Sequence, residues 1–172
     1  MNLVSELQKM IYDAALARWG DETDEVPKDY VFDAEMHGFD AKEEWIAAYL
    51  LGCVPESRLG FGAFDLLGIE ELREIDPLIS LAVESGYVQI ARGGDGSHYF
   101  VNLTSGRVFH LWIGTIDEES IYIPGAQDDY SNVEVSVVND DLMEKAAQQH
   151  WGNLQDLFQA VIDAKGDMDD WP

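Results

Sequence analysis

YVQIARGGDGSHYFVNLTSGRVFHLW, residues 87–112, is the stretch that decides the fold. Tyr87 to Ala91 is an apolar run of strand length, Gly93-Gly94-Asp95-Gly96 is a cluster of turn formers, and His98 to Leu103 is a second strand. Thr104-Ser105-Gly106 makes a tight turn, with Gly106 supplying the positive φ that short hairpin loops often need. Arg107 to Trp112 is the third strand. Alternation puts Tyr99, Val101 and Leu103 on one face and Phe100 on the other. A sheet apolar on both sides must be covered on both, so helices or loops overlie it.

Upstream, Leu3, Leu7, Met10, Ile11, Ala14 and Ala15 recur at helical spacing and predict a helix over 2–18, ended by Trp19-Gly20. An acidic stretch over 21–25 follows, and Pro27 begins an extended segment through Tyr30, Val31 and Phe32. A second helix is expected to open with Asp40 as N-cap and Glu43 completing a capping box, and to end at Gly52 ahead of Pro55. Residues 60–67 read as one short strand, 68–72 as a turn into a short helix, and Leu78 to Val83, after Pro77, as another helical piece. Downstream, Val133 to Val138 alternates as a strand, Asp140 or Asp141 caps a short helix through Ala147, and Leu154, Leu157, Phe158, Val161 and Ile162 define a final amphipathic helix. The tail from about Gly166 is expected to be loose. With no repeat and no long linker, residues 1–172 are expected to form one α+β domain.

The charge balance narrows the partners. Ten Lys plus Arg stand against 34 Asp plus Glu, a formal net charge of −24. Phosphate backbones and anionic lipid surfaces would be repelled, and the cations are too scattered to form a local basic patch. Nucleic acid and membrane are therefore not expected partners. A basic protein would be drawn in, because opposite fields raise encounter rates. The acidity fits equally a chain kept soluble or adapted to a salty host. Cys53 is the only cysteine, which leaves no internal disulfide framework and no thiolate cluster; beside Leu50, Leu51 and Val54 it reads as a core filler. Met1 to Glu6 shows no signal peptide, and nothing reaches the roughly 18 apolar residues of a membrane span, so a cytoplasmic location is expected.

The carboxylates, histidines and glycines show no chemical motif in sequence. Asp167, Asp169 and Asp170 lack the glycine and glutamate of a calcium loop. The histidines, His37, His98, His110 and His150, show no i, i+4 pair; His98 and His110 lie on neighbouring strands and could meet, although such residues are more often structural. Gly94-Asp95-Gly96-Ser97-His98 lacks the second glycine of a nucleophile elbow, and the glycine cluster joins two strands where a phosphate cradle would lead into a helix. Neither a catalytic group, a metal nor a cofactor is expected. The enzymatic alternative is a hydrolase whose paired carboxylates meet only in space.

Residues 60–112 resemble the SUKH superfamily, the Smi/Knr-like proteins. The elements that carry the likeness are Phe64 to Leu72, Gly86 to Ala91, Gly93-Gly94-Asp95-Gly96, Tyr99 to Leu103 and Ser105 to Trp112. Ahead of them, Trp45 to Pro55 stands where the family has a proline-led helical stretch. The resemblance implies an α+β fold with a mixed, mostly antiparallel sheet flanked by helices. It also implies a binding role: many bacterial members are similar to immunity proteins that neutralise toxin domains, often nucleases, and others are regulatory adaptors. Acidity and resemblance converge on an inhibitor that occupies a basic nuclease cleft as a mimic of nucleic acid; an adaptor for an endogenous protein is the alternative. Loop carboxylates Asp95, Asp117, Glu118, Glu119, Asp128 and Asp129 are the expected partner contacts, with Trp112 and Tyr130 as aromatic anchors. Against this, loop carboxylates are usually just solvated, and Trp112 reads sooner as core than as an anchor.

Overall fold

We describe residues 2–20, 37–125 and 130–164 of a computed structural model. The acidic stretch 21–25, the extended segment 27–32, Asp128, Asp129 and the tail from Gly166 lie outside the described residues. The architecture is α+β. In chain order the elements are α1 (Leu3–Trp19), α2 (Glu44–Gly52), β1 (Leu59–Gly60), β2 (Phe64–Leu66), α3 (Ile69–Arg73), a 3₁₀ turn (Pro77–Ile79), α4 (Ser80–Glu84), β3 (Tyr87–Gly93), β4 (His98–Asn102), β5 (Val108–Leu111), β6 (Ser120–Pro124), β7 (Tyr130–Glu134), α5 (Asp140–Ala146), β8 (Gln149–Trp151) and α6 (Leu154–Asp163). A 6-stranded sheet runs β1-β2-β3-β4-β5-β8, and β6 with β7 forms a separate ribbon. Each pairing among these strands is antiparallel.

The sheet is covered on both faces, as its alternation requires. Tyr99, Val101 and Val108 face a core built with Leu7 and Ile11 of α1, Tyr49 and Leu50 of α2, and Leu157 and Phe158 of α6. Phe100, Phe109 and Leu111 face a second core closed by Ile79, Leu81, Ile121 and Met143. In β3 the register shifts between Gln89 and Ala91, and this irregularity sets the adjacent Ile90 and Ala91 into the same core.

Several expectations change. Residues 60–67 form a hairpin in place of one strand, because Gly62 turns the chain at φ 87° and Leu59 comes to lie opposite Leu66. The N-cap of α2 is Glu43, whose Oε2 accepts from Trp45 N and Ile46 N, each at 2.9 Å. Asp40 does not cap: Lys42 N and Glu43 N are docked on Leu103 O, which starts the helix later, and Asp40 pairs with Lys42 Nζ at 2.7 Å. Asn139, and neither Asp140 nor Asp141, caps α5 through Leu142 N. The strand expected at 133–138 is displaced to 130–134, where β6 supplies its partner, and β6 and β8 carry no alternation long enough to announce them. No helix among the described residues is long and apolar enough to cross a membrane.

Candidate functional site

The turn joining β3 to β4 closes on itself, with Gly96 N donating to Gly93 O and Gly93 N to Ser97 O, each at 3.0 Å. Asp95 Oδ1 accepts from Ser97 N at 2.9 Å and from Ser97 Oγ at 2.5 Å, and Ser97 Oγ lies 2.7 Å from His110 Nε2. A Cβ on Gly93 would clash with Ser97 Oγ, so glycine makes room for this relay. Burial holds His110 below the usual histidine range although the Asp95 charge opposes this, so the ring is neutral. Burial would push Asp95 up, but the hydrogen bonds from the Ser97 hydroxyl and amide outweigh it and hold the carboxyl low.

The direction of the relay matters chemically. The Ser97 hydroxyl gives its hydrogen to Asp95, so its oxygen accepts Nε2–H of His110, and Nδ1 is left buried without a partner. In a hydrolytic triad the carboxylate orients the histidine and the histidine takes the serine proton. Here the serine keeps its proton and donates it in a hydrogen bond to the carboxylate, so the histidine does not take it and Ser97 is not activated. The relay fastens a turn.

His98 and His110 do not meet. His110 is the cross-strand partner of Tyr99 and stacks on it at 4.2 Å, whereas His98 lies opposite Leu111 on the other face. His98 Nδ1 accepts from Gln89 Nε2 at 2.9 Å, which leaves the ring proton on Nε2. Burial first, then the charge of Arg92, lower His98 against the pull of Asp76 and Asp95. Among the described residues no group of three His, Cys, Asp or Glu side chains is arranged to hold a metal ion.

Directly after β5 two apolar side chains stand uncovered: Trp112 is 51% and Ile113 66% exposed. Trp112 is therefore surface and not core. Asp117 Oδ1 accepts from Glu119 N and Ser120 N, each at 2.8 Å, which makes Asp117 the organiser of a turn that lifts Glu118 and Glu119 into solvent. These two glutamates join Glu84 and Glu134 around an open depression of about 510 Å³. A second pocket, of about 300 Å³, lies between the 3₁₀ turn, the β3–β4 turn and the loop after β5, and is lined by Leu78, Arg92, Gly96, His98, Ile113 and Asp117, among others.

The structure thus gathers Asp117, Glu118 and Glu119 on one loop that follows directly from Trp112. Asp95 is exposed at the neighbouring turn, with one oxygen committed to Ser97. Tyr130 opens β7 opposite Pro124, on the separate ribbon, and Asp128 and Asp129 are outside the described residues. Sequence reasoning missed Ile113, Leu78, Glu84 and Glu134 as surface contributors. For Ile113 a signal existed: an apolar residue directly before Gly114, past the end of the strand pattern. Comparison with protein-family models, curated proteins and solved structures gives no match to the chain.

Proposed function

We propose that the chain is a protein-binding module that captures a basic protein partner. In the SUKH-like reading, it acts as an immunity protein holding a toxin domain, of which a basic nuclease is the kind that fits best. One observation carries this reading: exposed Ile113 and Leu78 share a pocket with Asp117, and the loop that bears Ile113 also carries exposed Trp112, Glu118 and Glu119, in a chain of net charge −24. Apolar and aromatic centres with polar rims are the anatomy of protein interfaces, and surplus charge of one sign steers the opposite sign into place. A nuclease domain carries cations to hold phosphate, so an acidic face can occupy the same cleft.

The test is association with a basic toxin domain encoded beside this chain, followed by stopped flow across a salt series. The expected association rate falls steeply with salt, and Glu118→Lys with Glu119→Lys slows association far more than it speeds dissociation. Binding whose on-rate ignores salt and both charge reversals would refute the proposal.

A further inference from the structure

The two most exposed large apolar side chains among the described residues, Ile113 at 66% and Leu78 at 63%, come from loops far apart in sequence yet line one pocket. At about 300 Å³ it is at the small end of ligand sites, with room for one side chain. Its walls are held in place. Ile113 sits against Gly96, where an added Cβ would come within 3.2 Å of Cδ1, and Gly96 and Gly114 fix tight turns at φ 85° and 77°. Arg92 and His98, cross-strand partners, contribute N–H donors to the lining. The Arg92 guanidinium is not closed by its neighbour: Nη2 is 3.8 Å from Asp76 Oδ2, and buried Nε has no acceptor. Asp76 and Asp117 complete the lining with negative charge.

We infer that this pocket receives a single apolar side chain from a cationic segment of the partner, with the flanking cations of that segment meeting Asp76 and Asp117. The inference rests on the basic-partner reading above and names its point of contact. Charge chooses the occupant. A second copy of the chain would bring −24 against −24, and a neutral apolar molecule would leave both rim carboxylates without a counterpart. A cationic segment with an apolar centre meets the apolar lining and the acidic rim together, and its backbone carbonyls are the acceptors it offers to Arg92 and His98.

The probes are two acetylated, amidated peptides, Lys-Lys-Trp-Lys-Lys and its counterpart with alanine at the centre, titrated into the ¹⁵N-labelled full chain at about 20 mM salt. The tryptophan peptide is expected to bind about tenfold tighter or more and to shift the amides of Gly96, Ile113 and Gly114. Ile113→Ser and Leu78→Ser, both at exposed positions, are each expected to bring the two affinities to within about threefold. Equal binding of both peptides, or shifts scattered over the surface, overturns the pocket assignment and leaves the basic-partner reading standing. Binding of neither overturns both. Acetyl-tryptophanamide binding as tightly as the cationic peptide, or concentration-dependent shifts without peptide, overturns the cationic segment in favour of a small molecule or a second copy.

Discussion

Tyr87, at the start of β3, donates its hydroxyl to Asp140 Oδ1 at 2.6 Å and so ties the sheet to the first turn of α5. The same carboxylate accepts from Asn102 Nδ2 and Ser105 Oγ, each at 2.7 Å, and thereby also holds the β4–β5 turn. Burial would push Asp140 up, but the Tyr87, Ser105 and Asn102 hydrogen bonds and the Arg107 charge outweigh it and keep the carboxyl low. Burial and the same Asp140 contact push the Tyr87 phenol up. Asp140→Ala strands three donors and is expected to cost about 1–3 kcal/mol of unfolding free energy. In a double-mutant cycle by urea unfolding, Tyr87→Phe with Asp140→Ala should cost less than the sum of the singles. Strict additivity would show that the bond contributes nothing.

A single glycine links the β4–β5 turn to α2. Gly106 has φ 74°, and an added Cβ would stand 2.8 Å from Cγ of Glu43, the residue that caps the helix. Gly106→Ala therefore combines left-handed backbone strain with displacement of a cap, an expected loss of about 2–3 kcal/mol. Glu43→Ala alone should cost about 1 kcal/mol. Equal losses in the two variants by chemical denaturation would exclude the steric coupling.

His98 and His110 give the fold a sensitivity to mild acid. Both are held below 6.5, their ordinary value, by burial. Between that value and the lower one in the folded state, the unfolded chain binds more protons, so stability rises with pH and is lost as pH falls below about 6.5. Each histidine contributes a slope of at most about 1.4 kcal/mol per pH unit. The lowered carboxyls of Asp95 and Asp140 act elsewhere: their stabilisation is present above about pH 4 and is lost as pH falls further. Unfolding free energies at pH 7.5, 6.5 and 5.5 should show the decline, with a shallower slope in His98→Gln. A flat profile over that range would contradict the burial argument.

Two aromatic residues three positions apart should behave oppositely. Phe109 is fully buried, and Phe109→Ala is expected to cost about 3–5 kcal/mol. Trp112→Ala, on the surface, should change stability by about 0.5 kcal/mol or less. Comparing their thermal melts tests whether Trp112 lies outside the core that holds Phe109.

Local pattern was enough for the centre of this molecule. The run from Tyr87 to Leu111 specified three antiparallel strands, because alternation and Gly106 act over a few residues and admit one register. It specified the two covered faces for the same reason, and α1 and α6 followed from helical periodicity. Caps were less legible. Asp40 and Glu43 are both credible in sequence, and the choice fell to Leu103 O, more than fifty residues away. β6 and β8 are short and exist by virtue of partners that the local sequence does not name.

Of the surface, the sequence determined the acidity and the loop position of Asp117, Glu118 and Glu119, since charge and turn chemistry are properties of residues themselves. Only the tertiary structure decided that Ile113 and Leu78 share a pocket over Arg92 and His98, and that the serine relay runs toward Asp95. Those depend on where distant segments pack. The physical reason is that side-chain meeting across a fold is set by the whole core, while strand alternation is set by neighbours along the chain.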